Sequence, residues 1–400
     1  MKIGVLGGGA AGFFAAIRCK ENFPQAHVEI LEKSSGVLSK VRISGGGRCN
    51  VTHNCFDPQI LVKYYPRGKK ELLGPFHRFQ PADMVKWLEK RRVKLKTESD
   101  GRMFPISDSS ETIIDCFLQE SKKRKVVLRT NLPVAGIFPS ENGFTIKDKQ
   151  GNELRYDKLI VATGSNRKVW DWLAHLGHNI QKPVPSLFTL QNDLKSMHKL
   201  SGLSTDTAEI SLNNGKFKER GPILLTHWGM SGPAVLKLSA FAARYFFEED
   251  YKVPVKINWL AEETRESLQS LVQQRKQQFP KRKIKSDTFL PLPTRLYEYF
   301  VEEAQIPPDL LWSYLSKKQQ NRLLLHINDF HFVTTGKTIY KDEFVTCGGV
   351  SLKEVNFKTM ESKVIPGLYF AGEVLDIDGV TGGFNFQNAW TTAWIAAELG

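Results

Sequence analysis

The feature that most constrains the fold lies at the start of the chain. Lys2 to Leu6 reads as a short apolar strand, and Gly7-Gly8-Gly9-Ala10-Ala11-Gly12 follows at once. An amphipathic helix runs from about Ala10 to Lys20. A second apolar strand, His27 to Leu31, leads into Glu32. Each glycine in such a strand–turn–helix has a purpose. Gly7 permits the tight turn, Gly9 lets a pyrophosphate approach the backbone, and Gly12 lets helix and strand pack closely. The helix N-terminus offers N–H groups and partial positive charge to phosphates. Glu32 accepts hydrogen bonds from a ribose diol and repels a 2′-phosphate, which argues against NADP at this site. The opening is that of a βαβ unit that binds a dinucleotide.

Two later segments decide which dinucleotide. Leu159-Ile160-Val161-Ala162-Thr163-Gly164-Ser165 is an apolar strand running into a small-residue turn, and Gly367-Leu368-Tyr369-Phe370-Ala371-Gly372-Glu373 is a second. Both resemble the recurring FAD motifs of the glutathione-reductase-like flavoproteins. In that superfamily a strand ending in Gly-Asp brings a carboxylate to the ribitol. Here Glu373 is one methylene longer, and Asp376 is a nearby substitute. The stretch from Asp378 to Ala389 reads as a glycine turn entering the final helix. Its backbone N–H groups suit the flavin N1–C2=O edge, where a helix dipole stabilises negative charge. An ordinary helix cap is the plainer reading of the same turn. The residues expected to hold the cofactor are Gly7, Gly9, Ala10, Ala11, Gly12, Glu32, Lys33, Arg48, Val134, Thr163, Gly164, Gly372, Glu373, Asp376, Gly383, Phe384 and Asn385. A second Rossmann fingerprint is not evident, so NADH or NADPH is expected only as a transient electron donor.

A chain of 400 residues is long for one core. The expected class is α/β: a Rossmann-type FAD-binding domain with an inserted β-rich domain and a helical domain nested in that. The boundaries read as 1–185 and 335–400 for the FAD domain, 186–255 and 323–334 for the β-rich domain, and 256–322 for the helical one. Within the first domain, Gly36 to Cys55 is a glycine-rich loop region. Pro81 to Lys90 and Ser110 to Lys122 carry helical periodicity, and Val126 to Arg129, Gly143 to Lys147 and Glu153 to Val161 look like strands. From Phe344 the chain returns to glycine turns and apolar strands.

Further motifs are Ser44-Gly45-Gly46-Gly47-Arg48-Cys49-Asn50-Val51-Thr52, Gly101-Arg102-Met103-Phe104-Pro105, the run from Leu225 to Leu236, and Thr346-Cys347-Gly348-Gly349-Val350. With the N-terminal fingerprint and Gly372 to Asn388, they resemble over essentially the whole chain the bacterial flavoproteins labelled NAD(FAD)-utilising dehydrogenases or aminoacetone-oxidase-like proteins. Where that family has Thr-Gly-Gly, this chain has Thr163-Gly164-Ser165. The resemblance implies three domains and tight FAD binding. It implies either dihydrouridine formation in large-subunit ribosomal RNA or reductive steps on bile acids. Both reduce a carbon–carbon double bond conjugated to a carbonyl, with hydride from flavin N5 and a proton from a protein acid.

Candidate acids are Cys49, His53 and His227. Arg48 beside Cys49 is expected to lower the thiol's pKa; Cys49 reads equally as a small packing residue, and His227 as a structural hydrogen-bonding group. Four readings stay open. The first is an FAD-dependent reductase of uridine in ribosomal RNA or its precursor. The second is a flavin enzyme acting on a small enone, steroid or amine. The third is a thiol–disulfide oxidoreductase using Cys49 and Cys55, which requires their Cα atoms within about 7 Å. The fourth is an RNA-binding or assembly protein that keeps FAD as a structural element.

The net charge of +14 favours polyanions. It is concentrated in Lys63 to Lys70, Lys90 to Lys96, Lys122 to Lys125 and Lys281 to Lys285. Solvated helix ends and loops account for the same runs. Five scattered cysteines exclude a disulfide scaffold. With no apolar run of roughly 18 residues and no signal-peptide pattern, a cytoplasmic location without membrane partners is expected. His175 and His178 read as surface residues rather than metal ligands.

Overall fold

The first strand, Lys2–Leu6, lies at the centre of a seven-stranded sheet. Its neighbours are His27–Leu31 on one side and Lys158–Val161 on the other, both parallel to it. Val127–Arg129 extends the sheet beyond His27–Leu31, and Leu368–Phe370 pairs in parallel with Lys158–Val161. Val355–Asn356 and Glu361–Ser362 close that edge antiparallel. Parallel strands covered on both faces become near-continuous apolar runs, and Ile3, Val5, Ile30, Leu159, Ile160 and Val161 are all fully buried. The first helix, Ala10–Asn22, packs against the last, Phe384–Ala396. An aromatic cluster joins them: Phe14 lies 5.6 Å from Trp390 and 5.0 Å from Trp87, and Phe79 stacks on Trp394 at 4.6 Å.

This computed structural model describes residues 1–338 and 345–400. Phe344, where the sequence suggests the return to the first domain, lies outside the described residues. The chain divides into two compact units, Met1–Pro185 with Lys341–Gly400, and Ser186–Tyr340. Among the described residues no helix is long and apolar enough to cross a membrane.

Two sequence expectations are corrected in the first unit. The run Glu153 to Val161 is two strands, not one. Glu153–Tyr156 belongs to an antiparallel sheet with Val134–Ser140 and Gly143–Asp148, whereas Lys158–Val161 enters the central sheet. Asp157 makes the break, because its N–H donates to the Lys2 carbonyl at 2.8 Å and its carboxylate accepts from the Lys2 N–H at 2.6 Å. His178 is not a surface residue. It is buried, its Nε2 lies 2.8 Å from Ser362 Oγ, and burial holds its pKa below the ordinary value.

A carboxylate lies buried in the central sheet: Glu29, 1% exposed. Burial pushes its pKa up. The bonds it accepts from Arg129 (3.1 Å), Tyr156 Oη (2.5 Å) and His27 (2.6 Å) outweigh that and hold it down at about 2.

The second unit is built on a seven-stranded antiparallel sheet. Its order is Phe330–Val333, Pro254–Asn258, Ser204–Leu212, Phe217–Thr226, Gly229–Ser231, Thr189–Gln191 and Gly336–Thr338. Helices Arg265–Gln278, Thr294–Glu303 and Lys317–Asn328 share one apolar cluster with that sheet, from Ile210 and Ile257 through Trp259 to Phe300 and Leu324.

Candidate functional site

The first turn carries the glycines at their expected tasks. Gly7 adopts φ +112°, and a Cβ there would stand 2.5 Å from the Ala162 carbonyl oxygen. A Cβ on Gly12 would stand 1.9 Å from the Gly7 carbonyl oxygen, so only glycine lets the helix lie this close to the turn. Gly9 differs: an added Cβ would meet nothing within 4 Å. The space above it is open, and the helix N-terminus that begins at Ala10 and Ala11 has no side-chain cap. An open cradle over uncapped N–H groups fits a pyrophosphate. Glu32 is fixed beside it, with Oε2 accepting from Gly8 N at 2.8 Å and Oε1 from Ser34 N at 2.9 Å. The Glu32 carbonyl accepts from Leu132 N at 2.9 Å, which brings the start of Val134–Ser140 to the same end of the sheet. Lys33 is exposed next to it.

The two FAD-like segments meet. A Cβ on Gly164, which has φ +60°, would lie 3.7 Å from Glu373 Oε2. Gly372 packs against the first helix at Ala11 and donates its N–H to Thr392 Oγ1 of the last helix at 2.9 Å. The Thr163 hydroxyl oxygen is buried with no hydrogen-bond partner among the described residues, so a polar ligand group there would satisfy it. Lys40 Nζ lies 2.6 Å from Glu373 Oε2. Lys40 had no signal in the sequence, because the contact joins positions far apart in the chain. Asp376 is half-buried, its N–H donating to Val350 O at 3.1 Å.

The N-terminus of the last helix is held from several sides. Gly383 has φ +90°, and a Cβ there would stand 2.6 Å from the Thr52 carbonyl oxygen. The Asn50 carboxamide donates to Thr52 O and accepts from Gly383 N, both at 3.0 Å. Thr52 Oγ1 donates to Gln387 Oε1 at 2.6 Å, and Trp390 Nε1 donates to Val51 O at 2.9 Å. The Asn385 side chain makes two bonds to Gly379, both 2.8 Å, so it pins the turn. Arg67 and Asp378 form a buried, two-pronged ion pair beneath the turn. The Phe384 ring stacks on Tyr64 at 4.3 Å and on His53 at 4.8 Å, and Tyr65 Oη donates to Phe384 O at 2.6 Å.

The glycine-rich loop contains a short helix, Ser39–Gly47, broken at Ser44 and at Gly45 and Gly46, which take φ +58° and +69°. Gly46 and Gly47 also face open space. Cys49 follows with φ +62° and is fully buried. Its thiol is pushed up to about 12 by burial, against a smaller opposing effect of the bond to Ser44. The expected lowering by Arg48 is therefore reversed. The Arg48 guanidinium points to Glu98 at 2.6 Å and Asp108 at 3.7 Å and lies over the Phe104 ring at 4.1 Å. Burial also raises the Cys55 thiol, and both cysteines are free. Of the three candidate acids, Cys49 and His53 belong to the segment strapped to the last helix. His227 belongs to the second unit, exposed in the turn between Phe217–Thr226 and Gly229–Ser231.

An open glycine cradle, an acidic end to the second strand and a guarded helix N-terminus fit FAD, and the chain is an FAD-dependent oxidoreductase. It belongs to the HI0933-like protein Rossmann-domain family, which matches residues 1–399. It is 31% identical to the ribosomal RNA dihydrouridine synthase of Escherichia coli K12, over 98% of this chain and 96% of that protein. It is 26% identical to the 3-dehydro-bile acid Δ4,6-reductase of Clostridium scindens, over 99% and 98%. Among solved structures, 3-ketosteroid Δ1-dehydrogenase from Sterolibacterium denitrificans shares the fold with a TM-score of 0.51 at 12% identity, over 99% of this chain and 98% of that one. The 3-ketosteroid Δ4-(5α)-dehydrogenase from Rhodococcus jostii RHA1 gives 0.50 at 14%, over 99% and 96%.

Proposed function

We propose that this protein reduces a uridine of large-subunit ribosomal RNA, or of its precursor, to dihydrouridine in the cytoplasm. The observation that carries the reading is the full-length match to a protein named for that reaction. Bound FAD supplies the hydride, with NADH or NADPH as transient donor. The chain's own residues do the rest. The first turn and Glu32 hold the adenosine half, while Thr163, Gly164 and Glu373 line the middle. The helix N-terminus at Gly383, Phe384 and Asn385 would offer backbone N–H groups to the flavin's carbonyl edge. One carbon of the uracil double bond takes the hydride and the other takes a proton from the protein. Cys49 is one candidate for that donor: its thiol, pushed up to about 12 by burial, keeps its proton at neutral pH but yields it less readily than a group poised near 7. His53, half-buried against Phe384, is the second donor in reach of the same helix end.

The raised cysteine pKa values argue against the thiol–disulfide reading, which needs a thiolate. A small conjugated ketone as substrate is supported by the bile-acid reductase match. The deciding measurement is the dihydrouridine content of large-subunit RNA from cells with and without this gene. One modified position lost, and restored by the purified FAD-loaded protein, is the expected result. RNA unchanged at every position sinks the uridine reading and turns attention to small enones.

A further inference from the structure

The four basic clusters are not equivalent once their ion pairs are known. In Lys63 to Lys70, Arg67 is buried against Asp378. In Lys281 to Lys285, Arg282 pairs with Asp287, Lys283 with Asp309 and Lys285 with Glu302. The other two clusters converge. The turn that follows helix Pro81–Glu89 and the C-terminal half of helix Glu111–Lys123 line one open surface cleft of about 780 Å³.

The floor of that cleft is a closed network. Arg91 reaches Glu21 and Glu120, both at 2.7 Å, and lies over the Trp87 ring at 3.5 Å. Arg124 takes the same two carboxylates, at 2.9 and 2.5 Å. Arg18 also reaches Glu21, at 3.3 Å, so three guanidiniums share two carboxylates and Arg124 is a brace rather than a free cation. Lys90, Arg92 and Lys123 line the cleft, and Lys94, Lys122 and Lys125 adjoin them in the chain; all six are exposed and without an ion-pair partner among the described residues. Asp115 is the other acidic side chain that lines the cleft.

Part of this charge has a simpler use, because cations in the last helical turn complement the helix dipole. Arg92 and Lys125 carry the same charge just beyond the helix ends. Each sits in the left-handed turn just past its helix, at φ +63° and +58°. The reverse turns are closed by Val93 N to Leu88 O at 3.1 Å and Val126 N to Ser121 O at 2.9 Å. Glycine is the usual residue there, yet both turns present a cation.

We propose that the rim of this cleft docks the sugar–phosphate backbone of the RNA substrate, away from the reacting base. This rests on the uridine reading above. Six unpaired cations spread along two turns match a run of phosphates better than a single anion, which would want converging donors. Such contacts position an RNA without reading its sequence.

The test uses the FAD-loaded full chain and a large-subunit RNA transcript, with binding measured against salt. The triple variant Lys122→Ala, Lys123→Ala, Lys125→Ala is expected to bind about 10- to 100-fold more weakly at about 0.15 M salt, with the log–log salt slope reduced by about 2 to 3. Its flavin spectrum and melting temperature should match the wild type. Lys281→Ala with Lys283→Ala, which removes charge elsewhere, should leave affinity and slope unchanged. A triple variant that binds like the wild type, while the wild type binds and reduces the RNA, overturns the docking site and leaves the uridine reading standing. Equal losses in both variants also overturn it, since the effect is then general charge. A wild type that neither binds nor reduces the transcript removes the uridine reading itself, and the docking site with it.

Discussion

Two glycines of one turn should fail in opposite ways when each gains a methyl group. In Gly12→Ala the new carbon would stand 1.9 Å from the Gly7 carbonyl oxygen, where ordinary contact begins at 3.4 Å. The helix must therefore move away from its strand. Overpacking of this kind costs about 1–3 kcal/mol. For a unit of this size that is a fall in melting temperature of about 2–4 °C per kcal/mol, or roughly 2–12 °C. In Gly9→Ala the methyl meets nothing of the chain, and the fold should lose less than about 1 kcal/mol as a weaker helix cap. The methyl does, however, occupy the cradle. A similar 1–3 kcal/mol charged against the cofactor weakens FAD binding by about 5- to 150-fold. The assay is a pair of measurements on each protein: thermal melting of the apo form, and titration with FAD followed by quenching of flavin fluorescence. Gly12→Ala should melt early, and Gly9→Ala should melt normally but bind poorly. If Gly9→Ala binds FAD like the wild type, the open space over that turn is not the pyrophosphate site.

Other perturbations have equally definite signs. Glu29 is held near pKa 2 in the folded chain, so its contribution is complete above the ordinary carboxylate range and is lost as pH falls through about 2. Glu29→Gln should lower stability by about 1–3 kcal/mol at pH 7, with the gap from the wild type closing on acidification; denaturant unfolding at pH 7 and pH 3 checks it, and a constant gap refutes it. Arg67→Ala removes the guanidinium that pairs with buried Asp378 and should cost about 3–5 kcal/mol; an unchanged melting temperature would show that the pair does not hold the turn before the last helix. Cys49→Ala should leave reduction of the flavin by its donor intact but slow substrate reduction by about 100-fold or more. Stopped-flow traces of the two half-reactions separate these, and full turnover by the variant takes Cys49 out of the acid's role.

What the sequence made legible was whatever is encoded locally. The first strand, glycine turn, helix and second strand are contiguous, and their periodicities are strong, so both the Rossmann opening and the packing tasks of Gly7 and Gly12 could be read in advance. The split at Asp157 could not, because it is made by bonds to Lys2 on the neighbouring strand, 155 residues away in the chain. Glu29 looked like one polar residue in an apolar run; its partners Arg129 and Tyr156 come from other strands. The same limit misled the reading of Cys49. Arg48 adjoins it in sequence, but burial by distant segments governs the thiol, and the guanidinium is turned to Glu98. Charge runs were visible, but which cations are neutralised was not: Arg124 and Arg91 share Glu21, a residue of the first helix. Lys40 against Glu373 is another contact between distant parts of the chain.

The pairing of Lys158–Val161 with Leu368–Phe370 also has a history in time. A ribosome delivers the first of these strands about 200 residues before the second, at about 5–20 residues per second. For some 10–40 s the nascent sheet ends in an apolar parallel edge with nothing to cover it, while the segment 51–53 waits for the helix to which it will be strapped. The first strand, turn and helix can form early, whereas the segment strapped to the last helix cannot close until that helix arrives. The arrival of Leu368–Phe370, with the last helix close behind it, is then the event that ends the chain's most adhesive period, and chains truncated before residue 368 should aggregate.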